Sequence, residues 1–194
     1  MNTTRASLLQ RAQGGADTAA WPRLVALYQP LLRSWLHRCQ VPHHDVDDLV
    51  QEVLAVVVRE LPHFKHPGHA GAFRGWLRAI LANRMKSFWR AGRCRPQTGD
   101  EHFLELAERM ATDDHELSRL WDQEHDAHVL GRLLELIDQE FEPTTVQAFR
   151  QVTLAGQKAE AVAADLGISV AAVYIAKSRV LRRLREEAAG LVEC

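Results

Sequence analysis

The chain has 194 residues, of which 46% are hydrophobic and 25% are charged, and its net charge at pH 7 is −1. These fractions are ordinary for a globular protein, and the length suits one medium-sized domain or two small ones. The N-terminus lacks the apolar core of a signal peptide, and no uninterrupted apolar run is long enough to cross a bilayer. The three cysteines, Cys39, Cys94 and Cys194, are too far apart to indicate a disulfide framework or a zinc site. We therefore expect a soluble protein of the reducing cytoplasm, without a membrane segment.

Helical periodicity dominates the first half of the chain, where apolar residues recur at spacings of three and four. The first predicted helix would be capped by Thr3 or Thr4 and stopped by Gly14 and Gly15. Pro30 lies inside the second and is expected to kink it. The predicted helices cover residues 4–13, 17–41, 45–61 and 71–91.

The helix predicted over residues 45–61 has an acidic first turn and an exposed polar face. Asp47 and Asp48 lie near its N-terminus, where negative charge interacts favourably with the helix dipole. That effect explains the aspartates without any function. It does not explain Gln51 and Glu52, which continue the same face.

Three histidines, His63, His66 and His69, follow at three-residue spacing. Three imidazoles can bind a transition metal. However, Pro67 and Gly68 interrupt any helix that would align them, and no carboxylate or thiol accompanies them. A solvated loop is the preferred interpretation, and we expect no metal and no cofactor.

The helix predicted over residues 71–91 is basic. Between Arg74 and Arg95 there are seven basic residues and no acidic one. Such a stripe suits phosphate contacts, because each contact adds to affinity by releasing counterions. Phe88 and Trp89 are candidates for stacking on unpaired bases; the alternative is a solvated basic face. Four basic residues share one helix face by their spacing: Arg74, Arg78, Lys86 and Arg90.

The next part of the chain has the opposite charge, with fourteen acidic residues and three arginines between residues 97 and 142. Weak periodicity over residues 97–119 predicts an acidic linker that contains a short helical piece at 102–110. A firmer helix is predicted over residues 120–140. The small net charge is therefore a cancellation between basic segments and an acidic connector.

Beyond Pro143 the sequence predicts another helix and then a helix-turn-helix domain. The predicted fold is all-α, with two small helical domains, residues 1–96 and 120–194, joined by the acidic linker 97–119. The residues of the helix after Pro143 that are expected to pack against the C-terminal motif are Val146, Phe149, Val152 and Leu154.

The stretch from Lys158 to Glu186 predicts two helices around one tight turn. Gly167 stands where a helix ends in a residue with positive φ, Ile168 follows as a hydrophobic plug, and Ser169 is placed to cap the next helix. The second helix has an apolar face and a basic polar face. These features are typical of a helix-turn-helix, whose second helix fits the major groove of DNA. An ordinary helical hairpin with a solvated basic end is the alternative.

Several motifs occur in a recognisable order: Asp48-Leu-Val-Gln-Glu-Val53, Phe73-Arg-Gly-Trp-Leu77, Asn83-Arg84 and the C-terminal helix pair. In these motifs the chain resembles bacterial RNA polymerase sigma factors of the extracytoplasmic-function type, in the sigma-70 family. The resemblance implies a monomeric cytoplasmic protein without enzymatic activity. It would bind core RNA polymerase and direct initiation at promoters through their −10 and −35 elements. Relatives are often held inactive by an anti-sigma protein, so such a partner is also implied.

The resemblance assigns residues to three surfaces. Contact with core polymerase is implied for Asp47, Asp48, Leu49, Gln51 and Glu52. Contact with the −10 element is implied for Arg78, Asn83, Arg84, Lys86, Ser87, Trp89, Arg90 and Arg93. Contact with the −35 element is implied for Ser169, Ala171, Ala172, Tyr174, Lys177, Ser178 and Arg182.

Two departures from the family pattern limit what can be carried over. Lys86 and Ser87 stand where many relatives have an aspartate, and residues 172–176 read Ala-Val-Tyr-Ile-Ala instead of Thr-Val-Lys-Ser-Arg. Tyrosine and alanine can contact thymine methyls but lack the bidentate reach of Arg or Asn to a base edge. The promoter sequence therefore does not follow from that of better-known relatives.

Two other classes of protein remain as alternatives. A conventional repressor or activator would share the C-terminal motif but would bind duplex DNA by itself, usually as a dimer. An enzyme is poorly supported, because the sequence has no glycine-framed serine, no phosphate-binding loop and no carboxylates at metal-ligand spacing.

Overall fold

The computed structural model describes residues 6–15, 17–65, 71–91, 100–112 and 116–192. Within these ranges the fold is all-α, as predicted, and the only β feature is an isolated bridge between Ala189 and Val192. A 3₁₀ turn (Leu61–His63) follows α3, and a π-helical turn (Arg150–Leu154) follows α7. The helices are α1 (Leu8–Gly14), α2 (Ala20–Arg38), α3 (His43–Glu60), α4 (Ala72–Arg90), α5 (Asp100–Ala111), α6 (Glu116–Asp138), α7 (Pro143–Phe149), α8 (Ala159–Leu166) and α9 (Val170–Ala188).

Local interactions correct two of the sequence predictions. Helix α1 begins after Ser7, because Ser7 and Gln10 form a reciprocal capping box, whereas the predicted caps Thr3 and Thr4 lie outside the described residues. The two hydrogen bonds of that box are 3.3 and 3.1 Å long. Leu154 is 61% exposed and does not pack against the helix pair, since the π-helical turn changes the register at the end of α7.

The main hydrophobic core lies between α2, α3 and α4. Its largest fully buried side chains include Tyr28, Trp35 and Phe73. Helix α5, which falls in the predicted linker, adds Ala107 and Met110 to this core. The acidic segment is therefore partly an ordered helix packed on α4.

Helix α6 connects the main core to the C-terminal helices. Its first half carries Trp121, whose ring meets Trp35 edge-on at 5.3 Å. Its second half carries Leu134 and Ile137. These two residues form a smaller core with Phe149 of α7 and Val180 of α9. The sequence predicts a domain boundary at residue 120, whereas α6 contributes to both cores as one continuous helix of 23 residues.

A buried polar network holds the first half of α6 against α2. Tyr28 Oη lies 3.1 Å from His125 Nε2, and Asp126 lies 2.9 Å from the other ring nitrogen of His125. The His125 side chain is completely buried, and this burial lowers its pKa despite the neighbouring carboxylate. Burial also raises the pKa of Tyr28 well above its usual value. Both groups are therefore neutral in the folded protein near pH 7.

The end of α9 returns to the first helix. Glu187 accepts hydrogen bonds from Arg11 at 2.5 and 3.1 Å and from Arg183 at 2.8 Å. Burial alone would raise the pKa of Glu187, but these two arginines lower it. Leu191 and Val192 also join the main core. The C-terminal helix is thus tied directly to the N-terminal part of the chain.

In the part of the chain that the structure describes, no single helix is long and apolar enough to span a membrane. Helices α8 and α9, which meet at a bend of 103°, satisfy the length and composition criteria only when they are taken together.

The buried His125 predicts a pH-dependent stability. Its folded-state pKa lies below the usual 6.5, so the unfolded chain takes up a proton first as the pH falls. The contribution of His125 is therefore fully present above about pH 7 and is lost on acidification, at up to about 1.4 kcal/mol per pH unit. Urea unfolding between pH 7.5 and 5.5, followed by circular dichroism, measures this slope.

Two glutamine variants provide the comparison. His125→Gln is expected to flatten the slope, whereas His63→Gln, which changes an exposed histidine, is expected to keep it. Equal slopes in wild type and His125→Gln would contradict this account.

Candidate functional site

The acidic face of α3 is largely exposed. Asp47, Asp48 and Gln51 are exposed, Glu52 is half-buried, and Leu49 is not on this face because it is only 2% exposed. Leu49 is a core residue, which corrects its assignment to a contact surface. Asp47 pairs with Arg33 on α2 at 2.8 Å. The accessible strip therefore centres on Asp48 and Gln51, which lie three residues apart and share one side of the helix.

The first half of the basic stripe on α4 is occupied by carboxylates of α6. Arg74 lies 2.6 Å from Asp126 and 3.3 Å from Asp122. Arg78 also lies 3.3 Å from Asp122 and is only 4% exposed. The assignment of Arg78 to a DNA contact is therefore corrected, because its guanidinium is buried in an intramolecular ion pair.

The start of α4 explains how Arg74 reaches this position. Gly71 precedes the helix with a φ of +72°, and the Arg74 guanidinium lies 2.8 Å from the place that a Cβ of residue 71 would occupy. The backbone conformation favours glycine, and a side chain at this position would also displace the Arg74 guanidinium.

Burial alone would raise the pKa of Asp126, but hydrogen bonds from His125 and Arg74 lower it.

The second half of α4 keeps an accessible polar strip. Asn83, Ser87 and Arg90 are exposed and lie on one side of the helix, flanked by the half-buried Arg84 and Lys86. The Ser87 hydroxyl donates a hydrogen bond of 3.0 Å to the backbone oxygen of Asn83. The strip thus presents amide, hydroxyl and guanidinium groups to solvent.

The aromatic residues at the end of α4 are buried. Trp89 is 6% exposed and stacks on Phe103 of α5, with ring centroids 4.4 Å apart and planes inclined by 12°. Phe88 is 5% exposed. Neither ring is accessible to a base in this conformation, which corrects the assignment of Trp89. Arg93 and Arg95 lie outside the described residues.

The turn between α8 and α9 has the predicted local geometry. Gly167 has a φ of +65°, and the backbone N–H of Ile168 donates to Ala163 O at 3.0 Å. The Ser169 hydroxyl accepts a hydrogen bond from the Ala172 N–H at 3.1 Å. These contacts confirm the predicted helix end and cap. The 103° bend lies within the range for helix-turn-helix motifs.

The outward face of α9 contains most of the predicted contact residues. Two residues that the sequence interpretation missed, Ile175 and Arg179, lie on the same face. The sequence could have indicated Ile175, because this apolar residue falls outside the buried stripe that contains Val173 and Ala176 and is therefore expected on the surface. The residues of this face that were predicted and are exposed are Ser169, Ala171, Tyr174, Ser178 and Arg182, while Ala172 and Lys177 are half-buried.

No group of three or more potential metal ligands occurs among the residues for which the structure gives positions. Of the predicted histidine loop, His63 is described and exposed, whereas His66 and His69 lie outside the described residues. Cys194 also lies outside them.

Comparison with known protein families finds a match that covers α3 and α4. Residues 24–94 match the family described as Sigma-70 region 2. This part of the chain is similar to sigma-70 region 2. The matched residues include most of α2 and all of α3 and α4, and they support membership of the sigma-70 family. Sigma-70 region 2 takes part in RNA polymerase binding and promoter melting. No curated protein matches the chain significantly.

Arg78 is buried and Arg90 is exposed, so substitutions at these two positions of α4 are expected to affect stability differently. Arg78→Met is expected to destabilise region 2 by about 1–3 kcal/mol, because it removes a buried partner of Asp122. Arg90→Met is expected to change the free energy of unfolding by no more than about 0.5 kcal/mol, because Arg90 is exposed. Urea unfolding of both variants measures the difference, and equal stabilities would contradict the ion-pair assignment.

Proposed function

We propose that this chain is a sigma factor of the extracytoplasmic-function type. It binds core RNA polymerase and directs initiation at promoters that carry matching −10 and −35 elements. The observation that carries the proposal is the sigma-70 region 2 match over residues 24–94. The helical pair α8–α9 in the remaining part supports a second DNA contact.

Core polymerase docks on the exposed strip of α3. Asp48 and Gln51 form its centre, and Glu52 lies beside them. The strip is on a rigid helix whose other side carries fully buried valines, so its side chains are presented in a fixed arrangement. An acidic and amide-bearing surface suits a partner with basic side chains and hydrogen-bond donors.

The −10 element is contacted by the second half of α4. Asn83, Ser87 and Arg90 supply hydrogen-bonding groups, and Arg84 and Lys86 add positive charge for the phosphates. The −35 element is contacted by the outward face of α9, which lies in the major groove as the second helix of a helix-turn-helix. Residues 1–96 and 120–194 act as the two modules of this recognition, with residues 97–119 between them.

The protein itself carries out no chemistry in this proposal. It acts as a monomer in the cytoplasm, where its polymerase works, and it requires no cofactor. An anti-sigma protein is a further partner that the family resemblance allows.

Run-off transcription with bacterial core RNA polymerase tests the proposal. Core enzyme with the wild-type protein is expected to initiate at defined sites on DNA fragments from the source genome. The double variant Asp48→Ala and Gln51→Ala is expected to reduce the transcript on the order of tenfold, because two central contacts with the polymerase are lost. Co-elution with core enzyme is expected to fall in parallel.

A matched control variant removes the same two types of side chain from a different surface. Glu108→Ala with Gln123→Ala also removes one exposed carboxylate and one exposed amide, and is expected to leave transcription unchanged. If the α3 variant initiates normally, the docking face is wrong. If the wild-type protein fails to bind core enzyme but binds duplex DNA tightly as a dimer, it is a conventional regulator instead.

A further inference from the structure

The recognition helix α9 exposes two large hydrophobic side chains next to each other. Tyr174 is 53% exposed and Ile175 is 58% exposed. In the described part of the chain only three other large hydrophobic residues are exposed, and none of them is on α9. With Ser178, Arg179 and Arg182, the two side chains line a shallow depression on the surface of the helix.

The core does not account for these two residues. Helix α9 buries Val173, Ala176 and Val180 on its inner side, and Tyr174 and Ile175 point away from that stripe. The Ser169 cap and the left-handed Gly167 hold the start of the helix in place. The apolar pair therefore stands on a rigid element, one to two turns from the N-terminal end that enters a groove first.

The surroundings of the pair are cationic. From Val170 to Arg185 the helix has no acidic residue. Arg183 is engaged by Glu140 and Glu187, but Arg182 and Arg185 are exposed and make no ion pair with any residue that the structure describes. Such a surface is complementary to a polyanion that also presents exposed apolar groups. In the major groove of duplex DNA, phosphates supply the charge and thymine C5 methyl groups supply the apolar spots.

The start of the outward face, before Arg179, exposes no amide or guanidinium side chain. Within α9, the exposed residues of this part are Ala171, Tyr174, Ile175 and Ser178. None of these carries the amide or guanidinium that makes a bidentate contact with adenine or guanine. These side chains can distinguish thymine from the other bases most directly by contacting its methyl group.

We propose that Tyr174 and Ile175 read two neighbouring thymines of the −35 element through their C5 methyl groups. Arg179, Arg182 and Arg185 hold the flanking phosphates. This inference rests on the proposed function, because it requires α9 to dock in the duplex major groove. It adds the base type that the site selects and a residue, Ile175, that the family pattern does not assign.

Deoxyuridine substitution tests the inference, because it removes the C5 methyl group and keeps the base-pairing edge. A promoter is first selected from a library randomised in the −35 region, with core polymerase and the wild-type protein. The selected element is expected to contain adjacent thymines. Replacing either thymine by deoxyuridine is expected to weaken holoenzyme binding about fourfold, the cost of one unburied methyl group.

The variants assign the contacts to side chains. With Ile175→Ala, the deoxyuridine penalty at one position is expected to disappear, and Tyr174→Ala is expected to remove it at the other. Leu154→Ala removes another exposed hydrophobic residue of the C-terminal part and is expected to keep both penalties. Circular dichroism checks that the variants are folded.

Several outcomes would overturn the proposal. They are a selected element without neighbouring thymines, equal affinity for thymine and deoxyuridine, and penalties that survive in both variants. In each of these cases transcription still occurs, so the sigma function stands without thymine reading. If Tyr174→Ala with Ile175→Ala transcribes normally, the patch is not a DNA surface and serves a protein partner. Absence of initiation from any selected fragment would instead remove the proposed function, and the inference with it.

Discussion

The packing of α6 into two hydrophobic cores is the constraint on which the arrangement of this protein depends. Trp121 lies in the main hydrophobic core, and Ile137, about four turns further along, lies in the smaller core with residues of α7 and α9. A helix of 23 residues is about 35 Å long and bends only gently. The two surfaces proposed to contact DNA are therefore held at a fixed separation as long as both halves of α6 stay packed. Any change in their spacing must unpack one half or break the helix between them.

The same packing explains where the charges of the protein are used. Asp122 and Asp126 neutralise Arg74 and Arg78 within the molecule, so the near-zero net charge is partly a set of intramolecular ion pairs. The sequence stripe of basic residues overstates the surface available to DNA. Among the described residues, the accessible basic groups that the proposal assigns to DNA lie on the second half of α4 and on the outward face of α9. A smaller cationic surface lowers the affinity of the isolated chain for unspecific DNA and leaves specificity to the few groups that face outward.

The features that the sequence predicts well depend on neighbours along the chain. The left-handed Gly167 and the Ser169 cap follow from residues within a few positions, and the helix spans follow from apolar periodicity. The features that it misses depend on distant partners. Arg78 meets Asp122 across 44 residues, and the π-helical turn that exposes Leu154 has no distinctive sequence pattern. In the sequence, an arginine on a periodic basic face gives the same pattern whether it binds a phosphate of DNA or a carboxylate of the same chain.

The burial of Trp89 under α5 limits its part in the proposed contact with separated DNA strands. Stacking one base on an aromatic ring contributes about 1–3 kcal/mol. Exposing the buried ring costs a similar amount, about 1.5–3 kcal/mol for a large apolar side chain, and also breaks its stack with Phe103. A single captured base therefore does not repay the displacement of α5. As long as α5 stays packed, the proposed contact with an opened −10 element relies, among the described residues of α4, on the exposed Asn83, Ser87 and Arg90 and the half-buried Arg84 and Lys86.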